Sequence, residues 1–449
     1  MPFSSHPSPD PAPDDTRVAL SVLATIDPVL RDSAVFGLVV GAPRVVALRH
    51  DIRAAEGALR RVVVDASGVV EDEVVPLEHA CLSCAVREDA VPTLRRLADD
   101  GRWDHVVLAL PVAAESLPVV RALAAQTTPG AELERLRLAT VLAVADVDTL
   151  EHDLLDDDLV AERGVGLTDD DQRAVGEVLA AQLEHADLVV TTGDPVAAAT
   201  GAGLVDRLRG VGTRRVDGLH ALAAADLAGR PHDPVAGERR AHPLGARGPL
   251  PRHARPAGDR SWTVELCSAR PFDPERLLRR IEDLGTGRVR SRGVFHVANR
   301  PDSLCAWDGA GGQLCIGTLG TWDDATTAEG RPVEPHTRVV VVGATPPDGE
   351  TGDGVRERVL DAFRDVLATP DELADGGLRW LGRTDVLAPW LGARPDAVCG
   401  RCRCRRDARA GRGGGGASRG RENRWRSAAR APPSEALVAD RHRSRCVAT

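Results

Sequence analysis

The chain has 449 residues, 43 % of them hydrophobic, which is enough to bury two or three cores. Its formal charge is −10; every one of the 57 basic residues is arginine, so any mechanism that needs a lysine is excluded. Aromatics are 3 % with no Tyr, so Val, Leu and Ala must build the interior.

In chain order, residues 1–15 are polar and proline-rich and are expected to be disordered. No stretch has the pattern of a signal peptide or the length of a membrane span, and the nine Cys are unevenly placed. These features point to a cytoplasmic protein whose thiols are reduced or on metal. Residues 16–228 alternate short Val-rich runs ("RVALSVLA", "RVVALRH", "RRVVVDA", "HVVLALPV", "LATVLAVAD", "ADLVVTTGD") with helix-like runs at 87–99, 115–126 and 171–186. The near-continuous apolarity predicts strands buried on both faces of a mostly parallel sheet. Residues 229–260 are rich in Pro, Gly, Arg and His without periodicity and read as a linker. Residues 261–392 read as a small α+β domain. Asp273 is placed to cap and Pro274 to start a helix, two or three antiparallel strands follow from about 289, and "TRVVVVGA" and 352–368 supply a further strand and helix. Residues 393–449 form an Arg/Gly-rich tail. Its last 50 residues carry 14 Arg against four acidic residues. It reads as a disordered basic tail, an RNA-contacting segment or the product of a shifted reading frame.

Cys81 and Cys84 stand three apart before a helical run, in "EHACLSCAVREDAVPTL". A C-x-x-C turn suits tetrahedral Zn²⁺, with His79 or Glu78 as a further donor. Two alternatives stay open: a redox pair assisted by Arg87, and two buried small residues. Cys267, Cys305 and Cys315 are expected in the core. Cys399, Cys402 and Cys404 form C-x-x-C-x-C in the tail. The acidic runs "HDLLDDDL" and "TDDDQ" read as solvated faces or helix caps. No catalytic Ser/His/Asp arrangement is apparent.

Several of these segments together resemble the CobW-like family of phosphate-loop GTPases. "ACLSCAVREDAVPTL" is similar to its GCxCCxxRxDL motif, and "VVLALPVAAESLPV" to VIIESTGxSEPLPV. "VLAVADVDTL" and "EHADLVVTTGDP" are similar to VVxVVDAxxF and xxADxVVLNKxD. "RPFDPERL" and "RSRGVFHVANRPDSLCAWDGAGGQL" are similar to the family's second-domain patterns. The resemblance implies a degenerate phosphate-loop-NTPase-like domain followed by a CobW C-terminal-like domain. It also marks departures. "LATIDPVLRD" stands where the family has GFLGAGKTTLL, a loop whose backbone amides, Lys and Ser/Thr hold phosphates and Mg²⁺. Ala109 replaces an acidic residue, and Pro111-Val112 replaces Thr-Gly. In the place of NKxD, only Asp194 remains to accept from a guanine edge; its plainer role is to cap a turn. GTP hydrolysis is therefore expected to be weak or lost.

Ser83, in C-x-S-C, makes the chain resemble the actinobacterial branch of ribosome hibernation factor-recruiting proteins, the MRF branch. That resemblance implies an adaptor active under zinc starvation. Its partners would be the small ribosomal subunit and a hibernation factor, with no membrane. RNA contact through Arg214-Arg215, Arg239-Arg240 or Arg288, Arg290 and Arg292 would complete the picture. The alternative is a zinc metallochaperone GTPase that delivers or senses the metal.

Overall fold

A computed structural model describes residues 15–246, 256–327, 330–346, 352–380, 382–393 and 445–447. The first domain contains β1 (Val18–Ala24), α1 (Pro28–Val40), β2 (Val45–Arg53), β3 (Ala58–Asp65) and β4 (Gly68–Pro76). A helical run follows through Leu82–Cys84, Ala85–Ala90 and Val91–Asp99, together α2; its middle six residues wind as a π-helix. Then come β5 (His105–Ala109), α3 (Ser116–Gln126), β6 (Leu136–Asp146), α4 (Leu150–Leu155), α5 (Val175–His185) and β7 (Leu188–Thr192). The domain ends with α6 (Ala199–Leu208), β8 (Arg214–Asp217), α7 (Ala224–Ala228) and α8 (Pro234–Ala241).

The eight strands lie in the order β4-β3-β2-β5-β1-β6-β7-β8. Six are parallel; β3 and β4 extend one side as antiparallel ribbons. Alternate residues point to opposite faces. Leu20, Val22, Val46, Leu48, Val106 and Leu108 pack under α2 and α3. Leu23, Val45, Ala47, Val107, Leu142 and Val190 pack under α1 and α7. Both faces are dry, which explains the unbroken apolar runs of the central strands.

The expected linker is in part a folded element. Asp233 caps α8 by accepting from the amides of Val235 and Ala236, with Pro234 in the first turn. Of its residues only Gly237 is buried. Polar contacts hold the rest to the domain: Arg121 to Glu238 at 2.7 Å, and Arg240 to Asp187 at 2.5 Å. A helix fixed by ion pairs leaves no apolar periodicity to read.

The second domain has β9 (Ser261–Ser268), α9 (Pro274–Gly285), β10 (Val289–Val297), β11 (Arg300–Ala310), β12 (Gln313–Thr321), β13 (Thr337–Ala344) and α10 (Gly352–Val366). Asp273 caps α9 through the amides of Glu275 and Arg276, as expected. The sheet order is β14-β12-β11-β10-β13-β9, antiparallel throughout, where β14 is the short strand Arg445–Val447 from the tail. The remainder of the tail, including Cys399, Cys402 and Cys404, lies outside the described residues, as does the N-terminal stretch 1–14. Trp307, Phe295 and Phe272 centre the core under α9 and α10.

β13 sets how the two domains meet. Val339 and Val341 face the second domain's own helices, whereas Val340, Val342 and Ala344 join Ala202, Val205 and Leu154 of the first domain. The apolar seam is fringed by charge. Glu184 of α5 accepts from Arg290 at 2.9 Å and Arg292 at 2.5 Å. Glu151 accepts from Arg260 at 2.8 Å, and Arg288 pairs with Asp156.

Candidate thiol site and the phosphate-loop position

Beyond β4 the chain turns through residues 77–80, and Cys81 caps the helical run in extended backbone. Its sulfur accepts from the Cys84 amide at 3.5 Å. The cap therefore folds both thiols toward one another. Cys81 is exposed and Cys84 is buried. His79 Nδ1 lies 3.9 Å from Cys84 Sγ, and Arg87 Nη2 lies 3.6 Å from it. Arg87 is engaged elsewhere: it donates to Glu88 at 2.7 Å and Glu78 at 3.2 Å. Burial, with Cys81 and Glu88 beside it, pushes the Cys84 thiol up. That is opposite to the depressed pKa an attacking redox thiol needs.

The π-helical winding is pinned from behind. Asp89, 2 % exposed, accepts from Arg61 at 2.6 Å and meets His50 Nε2 at 2.9 Å. His50 lies on β2 and Arg61 on β3, so the sheet edge fixes the thiol turn. Sequence reasoning missed both residues, which lie 39 and 28 positions from Asp89. Among the described residues no group of three or more His, Cys, Asp or Glu is arranged to hold a metal ion. The turn presents two thiols with one imidazole close by.

The phosphate-loop position is built differently from a phosphate cradle. α1 begins there, and its free amides would attract an anion. The Asp27 carboxylate already fills that role, accepting from Val29 N at 2.6 Å and Leu30 N at 3.0 Å. Beside it opens a cavity of about 340 Å³ lined by Thr25, Ile26, Asp27, Asp146, Asp153 and Arg163 among others. Three carboxylates against one guanidinium make a poor environment for polyphosphate. Asp153 and Asp158 of the acidic run hold Arg163, and Asp171 pairs with Arg173, so these runs are ion-paired rather than simply solvated.

Asp194 sits after β7, at the rim beyond Gly193. Gly193 has φ 83°, and a side chain there would strike Asp146 and Asp148. Asp194 Oδ1 accepts from Val196 N at 2.9 Å and Ala197 N at 3.2 Å, the arrangement of a turn cap.

The other cysteines divide. Cys305 is in the core, its thiol pushed up to about 12 by burial. Cys267 is exposed, contrary to expectation, because it takes an outward position on β9, a sheet-edge strand. Cys315 is half-buried and disulfide-bonded, which departs from the expectation of reduced thiols. Arg290 and Arg292 lie in the domain seam rather than on an open basic face, whereas Arg288, paired with Glu151 and Asp156, is exposed at its fringe. Arg215 is held by Asp206 and Asp217, and Arg240 by Asp187; Arg239 is exposed. Spacing on a strand gave no sign that the acidic partners come from the other domain.

Residues 52–206 match the CobW/HypB/UreG nucleotide-binding domain, and residues 261–366 match the cobalamin synthesis protein cobW C-terminal domain. The zinc chaperone Rv0106 of Mycobacterium tuberculosis is 30 % identical over 358 residues, 72 % of this chain and 81 % of that protein. The chain belongs to the CobW family. A more distant relative, the zinc-regulated GTPase metalloprotein activator 1 of Dictyostelium discoideum, is 23 % identical over 262 residues, 56 % of this chain and 55 % of that one. The solved Zn(II)-bound YjiA GTPase from E. coli aligns over 77 % of this chain and 99 % of its own, at 13 % identity and a TM-score of 0.32. Among the described residues of this CobW-family protein, no helix is long and apolar enough to cross a membrane.

Proposed function

We propose that this CobW-family protein handles zinc as cargo or signal, taking the ion on Cys81 and Cys84 with His79 as third donor. The observation that carries this reading is one capped turn that brings the Cys81 sulfur to the Cys84 amide and His79 Nδ1 to 3.9 Å from Cys84 Sγ; the three are not arranged around a metal position, so in this reading the donors close in as the ion binds. Thiolate and imidazole are the donors Zn²⁺ prefers, and a set one short of four leaves a position through which the ion can be exchanged. The zinc-linked names of two relatives support it. In this reading the nucleotide cycle is weak or absent, which the Asp27 cap, the acidic cavity and the lack of lysine support. Asp194 is the remaining candidate for a guanine edge.

Zinc titration against a chromophoric chelator tests the assignment. The full chain should bind with an affinity that falls at least tenfold in Cys84→Ser and in Cys81→Ser, and less in His79→Ala. Unchanged affinity in both serine variants sinks the reading. A second reading, the ribosome adaptor, is favoured by Ser83 in place of a third thiol. It expects co-sedimentation with small ribosomal subunits that changes with zinc and carries a hibernation factor along. Loss of the pellet signal at every zinc level discards it. Because Arg290 and Arg292 are engaged in the seam, ribosome contact in that reading falls to exposed groups such as Arg239 and Arg288.

A further inference from the structure

β4 is the outer strand of the eight-stranded sheet, and among the described residues only β3 pairs with it. Its nine residues present about 30 Å of backbone donors and acceptors along the far side. Val69, Val70 and Val74 are 65 %, 43 % and 52 % exposed, so apolar side chains flank the edge on both sides of an acidic centre.

The strand reads Val-Val-Glu-Asp-Glu-Val-Val from 69 to 75, the same in both directions. A second copy pairing antiparallel about Asp72 would set Glu71 opposite Glu73 and Asp72 opposite its own equivalent. Like charges directly opposite one another destabilise a strand pair. A bulge beside Val63 and Val64 bends the start of the strand as a further guard. The edge is closed to its own kind, but not to a strand of opposite charge.

The charge count favours such a strand. Glu71 pairs with Arg96 at 2.6 Å, and Asp72 with Arg60 at 2.6 Å. Arg61 serves both Glu73, at 2.5 Å, and the buried Asp89, at 2.6 Å, which His50 also meets. Four carboxylates thus share three guanidiniums. The one best placed to take a further cation is Glu73, whose side chain is 58 % exposed.

β4 also runs directly into the thiol turn. Leu77, the residue after the strand, packs with Leu59 and with Ala85, the residue after Cys84. Cys81, which is exposed, opens the helical run at that packed end. A strand laid along β4 therefore has one end beside the thiol turn.

The geometry points to the β4 edge as a docking site for an extended strand of a partner protein, basic at its centre and apolar at both ends, added to the sheet by main-chain pairing. The backbone bonds supply affinity, and Glu73 with its acidic neighbours selects the sequence. That the partner exchanges zinc with the turn rests on the function proposed above; the docking does not.

The test uses the full chain in EDTA and a fluorescein-labelled peptide, Val-Val-Arg-Thr-Arg-Val-Val, amidated at its C-terminus. Fluorescence anisotropy should show saturable binding, at least about fivefold tighter than for the same peptide with Glu in place of both Arg. Glu73→Arg should erase that preference, with circular dichroism confirming that the variant is folded. Amide hydrogen exchange should slow along β4 when the peptide binds, which a side-chain contact alone does not produce. No saturable binding, equal binding of the two peptides, or unchanged exchange in β4 overturns the proposal. So does sedimentation that shows a dimer with β4 amides protected in the absence of peptide, since the occupant is then a second copy. If the peptide docks but Cys81→Ser and Cys84→Ser keep full zinc affinity, the edge stands and only the zinc role falls; zinc binding without docking removes the edge alone.

Discussion

Glu184 offers the sharpest test of how the two domains are held. It is 6 % exposed and takes two hydrogen bonds from Arg290, at 3.0 and 2.9 Å, and one from Arg292. Burial opposes the charge on Arg290, but Asp308 and Glu184 outweigh it and hold the guanidinium protonated. As built, two arginines face Glu184 and Asp308, and the cluster is neutral. Glu184→Ala keeps Asp308 on Arg290 but leaves one buried positive charge without a partner. Breaking a buried pair from one side costs about 3–5 kcal/mol. Urea unfolding followed by circular dichroism should show that loss as a lower midpoint with an unchanged slope. Adding Arg292→Met removes the excess charge and should recover a large part of the loss, since its partner is then also gone. A loss under about 1 kcal/mol, or a double variant no better than the single, refutes the uncompensated-charge argument.

Three further outcomes are expected. Burial, with Asp308 and Glu115 adding to it, raises Glu177 at the same seam to about 7. The folded state then binds the proton more tightly than the unfolded chain, so stability is greatest below the unfolded pKa and falls as pH rises through about 7, by ~3 kcal/mol at most. Glu177→Gln should flatten that slope between pH 4.5 and 7.5 in thermal melts, and an unchanged slope contradicts the assignment. Asp27→Ala removes the α1 cap and should cost about 1 kcal/mol in chemical denaturation, whereas Asp27→Asn should cost a few tenths; equal losses would mean that the cap is not the cause. Trp307, 1 % exposed, packs on Gly285 and donates to Ser291 Oγ at 3.0 Å, so Trp307→Ala should cost about 3–5 kcal/mol and Trp307→Phe clearly less.

What the sequence made legible follows from the physics of each element. β1, β5, β6, β7 and β13 are dry on both sides, so their Val and Leu runs announce them. β4, "GVVEDEVVP", is a sheet-edge strand with Val69, Val70 and Val74 exposed, and it carries no such signal. α1 was hidden because its opening aligns with the family's phosphate-loop segment, so the Asp27 cap reads there as a departure rather than as a helix start. α8 was hidden because ion pairs rather than an apolar stripe hold it. The thiol pair could be read from spacing, and His79 from adjacency. Its support by His50 and Arg61 could not, since strand pairing brings them there across dozens of residues. The same holds for the arginines of β10 and their acidic partners.

The Asp27 cap has a consequence for timing. A tethered ligand competes at an effective concentration of roughly millimolar or more, and this one is joined to the helix whose amides it occupies. We infer that an outside phosphate must displace it while approaching Asp146 and Asp153. In the function proposed above, such a helix end keeps no clock: swings in nucleotide supply leave it as it was, and a change of state is written by another ligand, at the thiol turn.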